Sequence, residues 1–384
     1  MRAWLLTFGS ACLAFSAHAS LIKSIDYSIH DQYVSTRALG MGNAFTAVAD
    51  DYSAIFYNPA VLALRTDGQL RMFVRAAADA EVFGLKNQLQ DVKNQPRDQQ
   101  ATAYGSLIEE HYGDHFFARA PTIGAAWVRP GWGIAFIPAD LSVDIDDERI
   151  FGASLNVNTY LDSTLAFSYA HSLSDSFSVG ATLKGIHRVY VGKQITAGDL
   201  FEGNSVFSTS DANEGVTADV DIGTYWSPEV AASGFFHFLK YMRPHFALVG
   251  RNLIDYGFKW NPHLIKKSGD DPPNLGRRAD FGTKFDLPRF WVFDPHLSAD
   301  MRDVGDANWT FRKGSHVGME FYWKVYNWWK GHWSAGLNQG YWTAGFGARL
   351  AWFQIDLASY GEEVGTGAAP KEDRRYMAEL ALDF

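Results

Sequence analysis

The chain has 384 residues, 47% of them hydrophobic, with 28 Phe, 17 Tyr, 13 Trp, 35 Gly, a single Cys and a formal net charge of −9. So much apolar and aromatic material excludes a disordered chain, one cysteine excludes a disulfide scaffold, and an acidic chain without a basic stripe argues against nucleic acid as a partner. A helical membrane protein needs about 20 consecutive apolar residues per span, and nothing after the first nineteen residues offers them, while a mean hydropathy of −0.17 would ordinarily mark a soluble protein.

Residues 1–19 read as an export signal. Arg2 supplies the positive start, Trp4 to Phe15 form an apolar run too short to span a bilayer, and Ala17-His18-Ala19 is a small-residue cleavage site. Gly9 stands where a lipoprotein signal wants a Leu-like residue, so Cys12 is not expected to carry a lipid. Cleavage after Ala19 removes both Cys12 and Arg2, leaving a cysteine-free mature chain.

Residues 20–65 do not alternate. The stretch from Ser35 to Leu64 is rich in small residues, and Gly40 and Gly42 break any helix before Asn43. Asp50 and Asp51 precede Ser53-Ala54 at a helix start, where a carboxylate accepts backbone N–H bonds. Pro59 forces Asn58 into an extended conformation, a turn signal. The segment is too polar and irregular for a lipid-facing strand, but irregular backbone is tolerated inside a barrel lumen, where protein and water satisfy it. A plug is the reading these residues support, against an ordinary leading loop.

The stretch 79–120 carries Leu85, Leu89, Val92, Leu107, Ile108, Tyr112, Phe116 and Phe117 among polar residues, with apolar residues recurring three or four apart. That spacing predicts one or two short helices over the mouth of the fold. Apolar residues on an outer loop suit the capture of an apolar ligand. Packing of the helices on each other is the plainer alternative.

Alternation dominates the remainder. In the last ten residues Tyr376, Ala378, Leu380, Leu382 and Phe384 fall on one face, and Met377, Glu379, Ala381 and Asp383 on the other. The same two-residue period recurs in 216–226, 294–302, 314–324 and 176–195, and it means strands with one apolar and one polar face. Fourteen such strands are predicted: 69–78, 121–129, 132–145, 152–171, 176–195, 216–226, 244–252, 279–286, 294–302, 314–324, 332–338, 341–350, 351–359 and 375–384. A soluble sandwich and a membrane barrel both fit alternation, and the connections separate them. After odd strands they are mostly long, at 79–120, 196–215, 253–278, 303–313 and 360–374; after even strands they are mostly short. Outer-membrane barrels keep this rhythm of short periplasmic turns and long outer loops. The exceptions are 227–243, which is long, and Gln339-Gly340, which is short. The Trp- and Tyr-rich run 322–330, with its lysines, suits a headgroup interface. Segment 229–242 places Phe235, Phe238, Leu239 and Met242 on one helical face, as for a helix lying on the periplasmic leaflet.

With those residues in place, a resemblance emerges. The stretch around Gly40, Gly42, Ala44, Ala49, Asp50, Asp51, Ser53, Ala54, Asn58, Pro59 and Ala60 resembles the N-terminal hatch signature of FadL-type outer-membrane transporters for long-chain fatty acids and aromatic hydrocarbons. The region 336–363 and the last strand, ending on Phe384, resemble that family's C-terminus. The resemblance implies an all-β fold, a transmembrane antiparallel barrel of about fourteen strands (66–384) with the N-terminal hatch (20–65) in its lumen. Gly40, Gly42, Asp50, Asp51, Ser53, Asn58, Pro59 and Ala60 would then belong to the gating hatch. Apolar ligands would be caught at Leu85, Leu89, Leu107, Ile108, Phe116 and Phe117, pass into the barrel, and leave when the hatch shifts, sideways through a gap at a kinked strand. The expected partners are outer-membrane lipids, an apolar small-molecule ligand, and barrel-assembly machinery that engages the strand ending at Phe384. The expected location is the outer membrane of a Gram-negative-type bacterium. The superfamily also contains scaffolds and shuttles for secretion, conjugation or surface attachment of partner proteins, which is the alternative function.

Other chemistry finds no motif. No H-E-x-x-H, paired C-x-x-C or G-x-S-x-G occurs, so no enzyme, metal or cofactor is expected. His296 and His316 fall on polar strand faces and leave an outer-membrane Ser/His lipase conceivable only without a spacing signal. The acidic run Asp144–Glu148 lacks the glycine and ligand spacing of a calcium loop and reads as a solvated turn.

Overall fold

A computed structural model describes residues 28–147, 154–203, 210–229, 239–265, 269–326, 328–366 and 368–384. Residues 1–19, which read as an export signal, and the apolar stretch 230–238, with Phe235 and Phe238, lie outside the described residues. Ahead of the barrel come two short helices, α1 (Thr36–Gly40) and α2 (Ala54–Tyr57), and a 3-10 turn at Pro59–Leu64. The strands are β1 (Gln69–Asp79), β2 (His115–Arg129), β3 (Trp132–Asp147), β4 (Ser154–Ser174), β5 (Phe177–Thr196), β6 (Asn213–Trp226) and β7 (Pro244–Arg251). They continue as β8 (Arg278–Asp286), β9 (Phe293–Val304), β10 (Ser315–Tyr326), β11 (Trp329–Asn338), β12 (Tyr341–Leu350), β13 (Phe353–Glu363) and β14 (Glu372–Asp383). Each pairs antiparallel with its sequence neighbours, and β1 closes on β14 from Arg71↔Asp383 to Asp79↔Arg375, so the sheet is a closed fourteen-stranded barrel without an edge.

The faces are inverted relative to a soluble protein. On β1, Leu70, Met72 and Val74 point outward and are exposed, while Arg71, Arg75 and Asp79 point inward and are buried. On β14, Tyr376 and Leu380 are exposed, while Arg375, Glu379 and Asp383 are buried. Ile123, Phe136, Leu165, Phe167, Leu183, Phe281, Trp333 and Leu357 extend the apolar exterior around the wall. Water would not tolerate an exterior this apolar and continuous, whereas hydrocarbon demands it. A barrel also satisfies every strand's backbone internally, which lipid requires.

The connections keep the predicted rhythm. One end carries the tight turns at Pro130-Gly131, Asp175-Ser176 and Ala351-Trp352, with 227–243 as its long exception; the other carries the remaining long excursions. At the loop end, Gln339 (φ 53°) and Gly340 (φ 86°) make a two-residue hairpin with both central residues left-handed, the geometry that matches the strand twist. Aromatics pair at the short-turn end: Trp127 with Trp132, Trp226 with Phe246, and Tyr326 with Trp328, at centroid separations of 5.1, 5.5 and 5.4 Å. Their apolar rings and polar edges suit the boundary of a bilayer. A membrane strand needs about 9–11 residues, so β4, with 21, and β5, with 20, rise well past it at the loop end.

Two helices form in the first long loop, α3 (Glu81–Lys93) and α4 (Arg97–Glu110), joined there by α5 (Ala197–Glu202) from the third. The loop is shorter than 79–120. β2 begins at His115, paired with Asp146, so Phe116 and Phe117 belong to the wall. Pro121 hid this, because it interrupts the alternation between two paired stretches, 115–119 and 125–129. β6 likewise begins at Asn213, which shortens the loop expected at 196–215. The acidic run is not a solvated turn either. β3 continues to Asp147, and Asp144, buried, lies 3.6 Å from His115 and 3.5 Å from Arg375.

Candidate functional site

Residues 28–64 fill the lumen. From Thr36 to Leu62 nearly every side chain is buried, and the chain threads along the inner wall on polar contacts. α1 ends at Gly40, whose carbonyl accepts from Thr343 Oγ1 at 3.0 Å; Gly42 N donates back to the same oxygen at 2.9 Å. Gly42 is left-handed (φ +65°), and its carbonyl lies 2.9 Å from His316 Nδ1. Thr46 N donates to Asp300 Oδ2 at 2.7 Å. Asp51 Oδ1 accepts from Ser53 N at 2.8 Å, fixing the start of α2. Asn58 is extended, as Pro59 requires, and wholly buried; its amide donates to the carbonyls of Thr46 and Thr224, and its Oδ1 accepts from Ala60 N, each at 3.1 Å. Ala60 O accepts from Ser178 Oγ at 3.0 Å. The eight hatch residues singled out in the sequence therefore all lie on the plug, six of them bonded to a strand or to Arg37.

The strongest clasp was missed by sequence reasoning. Arg37 makes a two-pronged contact with Glu320, Nε–Oε1 2.8 Å and Nη2–Oε2 2.6 Å, and its remaining nitrogen reaches Asp50 at 2.6 Å and Asp51 at 3.1 Å. Glu320 is fully buried and also lies 3.2 Å from His296 Nε2. Geometry of this kind is stronger and more directional than a point contact. A lone inward carboxylate on β10 was visible as polar alternation, but its partner stands 283 residues away. Deeper in the lumen, Tyr52 donates to Glu379 at 3.2 Å, Arg75 to Val34 O at 2.7 Å, and Arg302 to Asn43 O at 3.2 Å. Burial, then the field of Arg188, Arg119 and Arg278, hold His30 well below the usual imidazole range, so it is neutral.

Wall glycines let the plug approach. A Cβ on Gly180 would lie 2.6 Å from Ala60 N, and one on Gly318 would overlap the Met41 carbonyl. Gly318→Val is expected to leave the barrel folded, with heat-modifiable gel migration retained, while loosening the plug by about 1–3 kcal/mol, the usual cost of overpacking. Limited trypsin digestion should then cut at Arg37 at least several-fold faster than in the unaltered protein, and equal rates would show that the contact is slack.

Within the lumen lie two small cavities of about 40 Å³ each, one against His30, Asn43, Arg119 and Arg375, the other against Tyr33, Lys184, Asp221 and Arg251. They have room for little more than water and are lined by charge. At the short-turn end a larger recess of about 570 Å³ reaches the Arg37–Asp50 pair between Arg243, Lys284 and Tyr322.

The wall itself is interrupted at one level. The β2–β3 ladder runs from His115↔Asp146 to Arg119↔Ser142 and resumes at Ala125↔Phe136, leaving 120–124 and 137–141 without ladder partners in each other. Register shifts fall beside this gap, between Arg75 and Ala77 on β1 and between Ile137 and Asp140 on β3. Pro121 and Pro138 lie in it, and neither has an N–H to donate. Local side chains satisfy two of the carbonyls: Thr122 Oγ1 donates to Ala120 O at 3.1 Å and Ser163 Oγ to Pro138 O at 2.6 Å. Behind the gap, Arg75, Arg119 and Thr122 converge on Asp140 at 2.9, 3.3 and 3.1 Å, a polar bolt on the lumen side.

The expected capture residues do not form one open surface. Leu107 is buried with Val92 and Tyr104 in a small core shared by α3, α4 and α5, and Ile108 is buried as well. Phe116 lies edge-on to His111 at 5.4 Å, and Phe117 lies under the Arg375 guanidinium. Only Leu85 and Leu89 line a groove, of about 360 Å³, beside α3.

No family model and no curated protein matches this chain. Among solved structures, a FadL homologue from Pseudomonas aeruginosa is similar with a TM-score of 0.45 and 12% identity, over 93% of this chain and 98% of the other. The Ralstonia pickettii toluene transporter TbuX aligns with a TM-score of 0.48 and 10% identity, over 91% and 98%. The Pseudomonas putida toluene transporter TodX aligns at 0.45 and 9%, over 93% and 99%.

Proposed function

We propose that this protein is an outer-membrane channel for hydrophobic compounds, long-chain fatty acids among them, held shut by its N-terminal plug. One observation carries the reading: a barrel whose lumen is stoppered has its longest break in strand pairing, among the described residues, at β2–β3, facing lipid. Unpaired backbone in a hydrocarbon-facing wall is costly, and a side opening serves only a solute that dissolves in hydrocarbon. Cargo would enter at the loop end, displace the plug and the Asp140 bolt, and leave between β2 and β3. The export signal, the terminal strand ending on Phe384 as a contact for barrel-assembly machinery, and the hatch-like residues from Gly40 to Ala60 agree with this placement in the outer membrane.

A second reading is favoured by a specific feature. Two charge-lined cavities in the lumen, of about 40 Å³ each, have room for little more than water, which suits a barrel that holds or shuttles partner proteins on its outer loops and never opens. Uptake separates the two. Purified protein in liposomes enclosing a fatty-acid-binding dye should accumulate oleate several-fold faster than protein-free liposomes. Oleate entry at the protein-free rate, together with a stoichiometric partner protein in a pull-down, would replace the channel reading with the scaffold.

A further inference from the structure

One cavity lies outside the barrel. A trough of about 1170 Å³ runs down the lipid-facing wall below α3. Its floor is alanine: Ala76 and Ala78 on β1, Ala118 and Ala120 on β2, and Ala378 on β14. Bulkier outward residues raise its sides, Leu141 and Val143 on β3 and Phe346, Leu357 and Tyr376 on β12 to β14. The floor lies low because neighbouring outward positions across three adjacent strands all stop at Cβ. α3 roofs the upper end with Phe83 and Lys86. The groove beside α3 shares Val82 and Lys86 with the trough and carries on past Leu85, Leu89 and Ile145 to Lys93.

Two features identify the occupant. The trough belongs to the same outward rows as the exposed apolar wall, so what fills it comes from the hydrocarbon layer. Lys86 stands where trough and groove meet, is exposed, and has no ion-pair or hydrogen-bond partner among the described residues. An unpaired lysine over an apolar trough, at the loop end where headgroups lie, complements an anionic amphiphile, although the chain as a whole is acidic.

We propose that the trough is a binding site for one anionic, phosphate-bearing lipid of the loop-side leaflet, its acyl chains on the alanine floor and its phosphate at Lys86 and Lys93. The lipid seals the outer face of the β2–β3 gap, since Ala120, Pro121 and Leu141 belong to both. This site requires only that the wall lie in a membrane, not that the protein transports anything, so it stands or falls apart from the channel reading.

Native mass spectrometry of the detergent-purified full chain, offered equal phosphatidylglycerol and phosphatidylcholine with identical acyl chains, tests it. The expected result is one retained phosphatidylglycerol per protein. Filling the floor with Ala78→Phe and Ala378→Phe should cut that retention about tenfold or more, with heat-modifiable migration confirming a folded barrel. Lys86→Gln with Lys93→Gln should retain a lipid but lose the preference for phosphatidylglycerol. Equal retention of the two lipids by the unaltered protein, undiminished retention in the filled variant, or displacement of phosphatidylglycerol by equimolar oleate would each overturn the proposal.

Discussion

Arg37→Ala is expected to raise the permeability of the reconstituted barrel to small sugars by about 10²–10⁴-fold. The Arg37 side chain joins the plug to the wall by two short bonds to Glu320, whose own side chain is 0% exposed. Removing one partner of a buried pair leaves the other charge uncompensated, at about 3–5 kcal/mol, which is that factor in the ratio of seated to unseated plug. The Asp50 arm contributes little, because its side chain is 56% exposed and screened by water. The double variant Arg37→Ala with Glu320→Gln removes the orphaned charge and should recover much of the seal. Liposome swelling in arabinose reads both. Swelling by the single variant at the unaltered rate would mean that the clasp does not hold the plug.

The second large effect concerns the wall. Pro121→Thr with Pro138→Thr restores two backbone N–H groups where the β2–β3 ladder lacks them. Two added backbone bonds at about 1 kcal/mol each favour the closed wall by about tenfold or more. Oleate uptake should fall by that factor, while sugar permeability, governed by the plug, stays unchanged. Unaltered oleate uptake would move the exit elsewhere. A loss of both would point to a barrel that no longer assembles, which gel migration detects. This pair of outcomes is opposite in kind to that of Arg37→Ala, so the plug and the side opening are tested separately.

Much of this arrangement is legible in the residues themselves. β14 could be read directly, since Leu380 and Glu379 can face lipid and lumen in one strand only if the period is two. Asn58 and Pro59 likewise declare their own backbone, and the extended Asn58 is where they put it. What stayed hidden depends on distant partners. Glu320 reads as any inward carboxylate until Arg37 meets it, and Asp300 until Thr46 does. Phe116 and Phe117 looked like loop residues because Pro121 interrupts their strand, and Leu107 and Ile108 looked like a ligand surface because an apolar helical face carries no mark of what covers it.

The opening composition shows the same division. The near-zero mean hydropathy arises because each strand offsets a lipid-facing residue with a lumen-facing one, so alternation and loop rhythm alone determined a membrane barrel with an irregular N-terminal segment. Closure of β1 on β14, the seating of the plug, the break between β2 and β3 and the alanine trough were decided only by the tertiary structure. Each is a relation between residues far apart in the chain, and neither local propensity nor periodicity carries information about which distant side chain will arrive opposite.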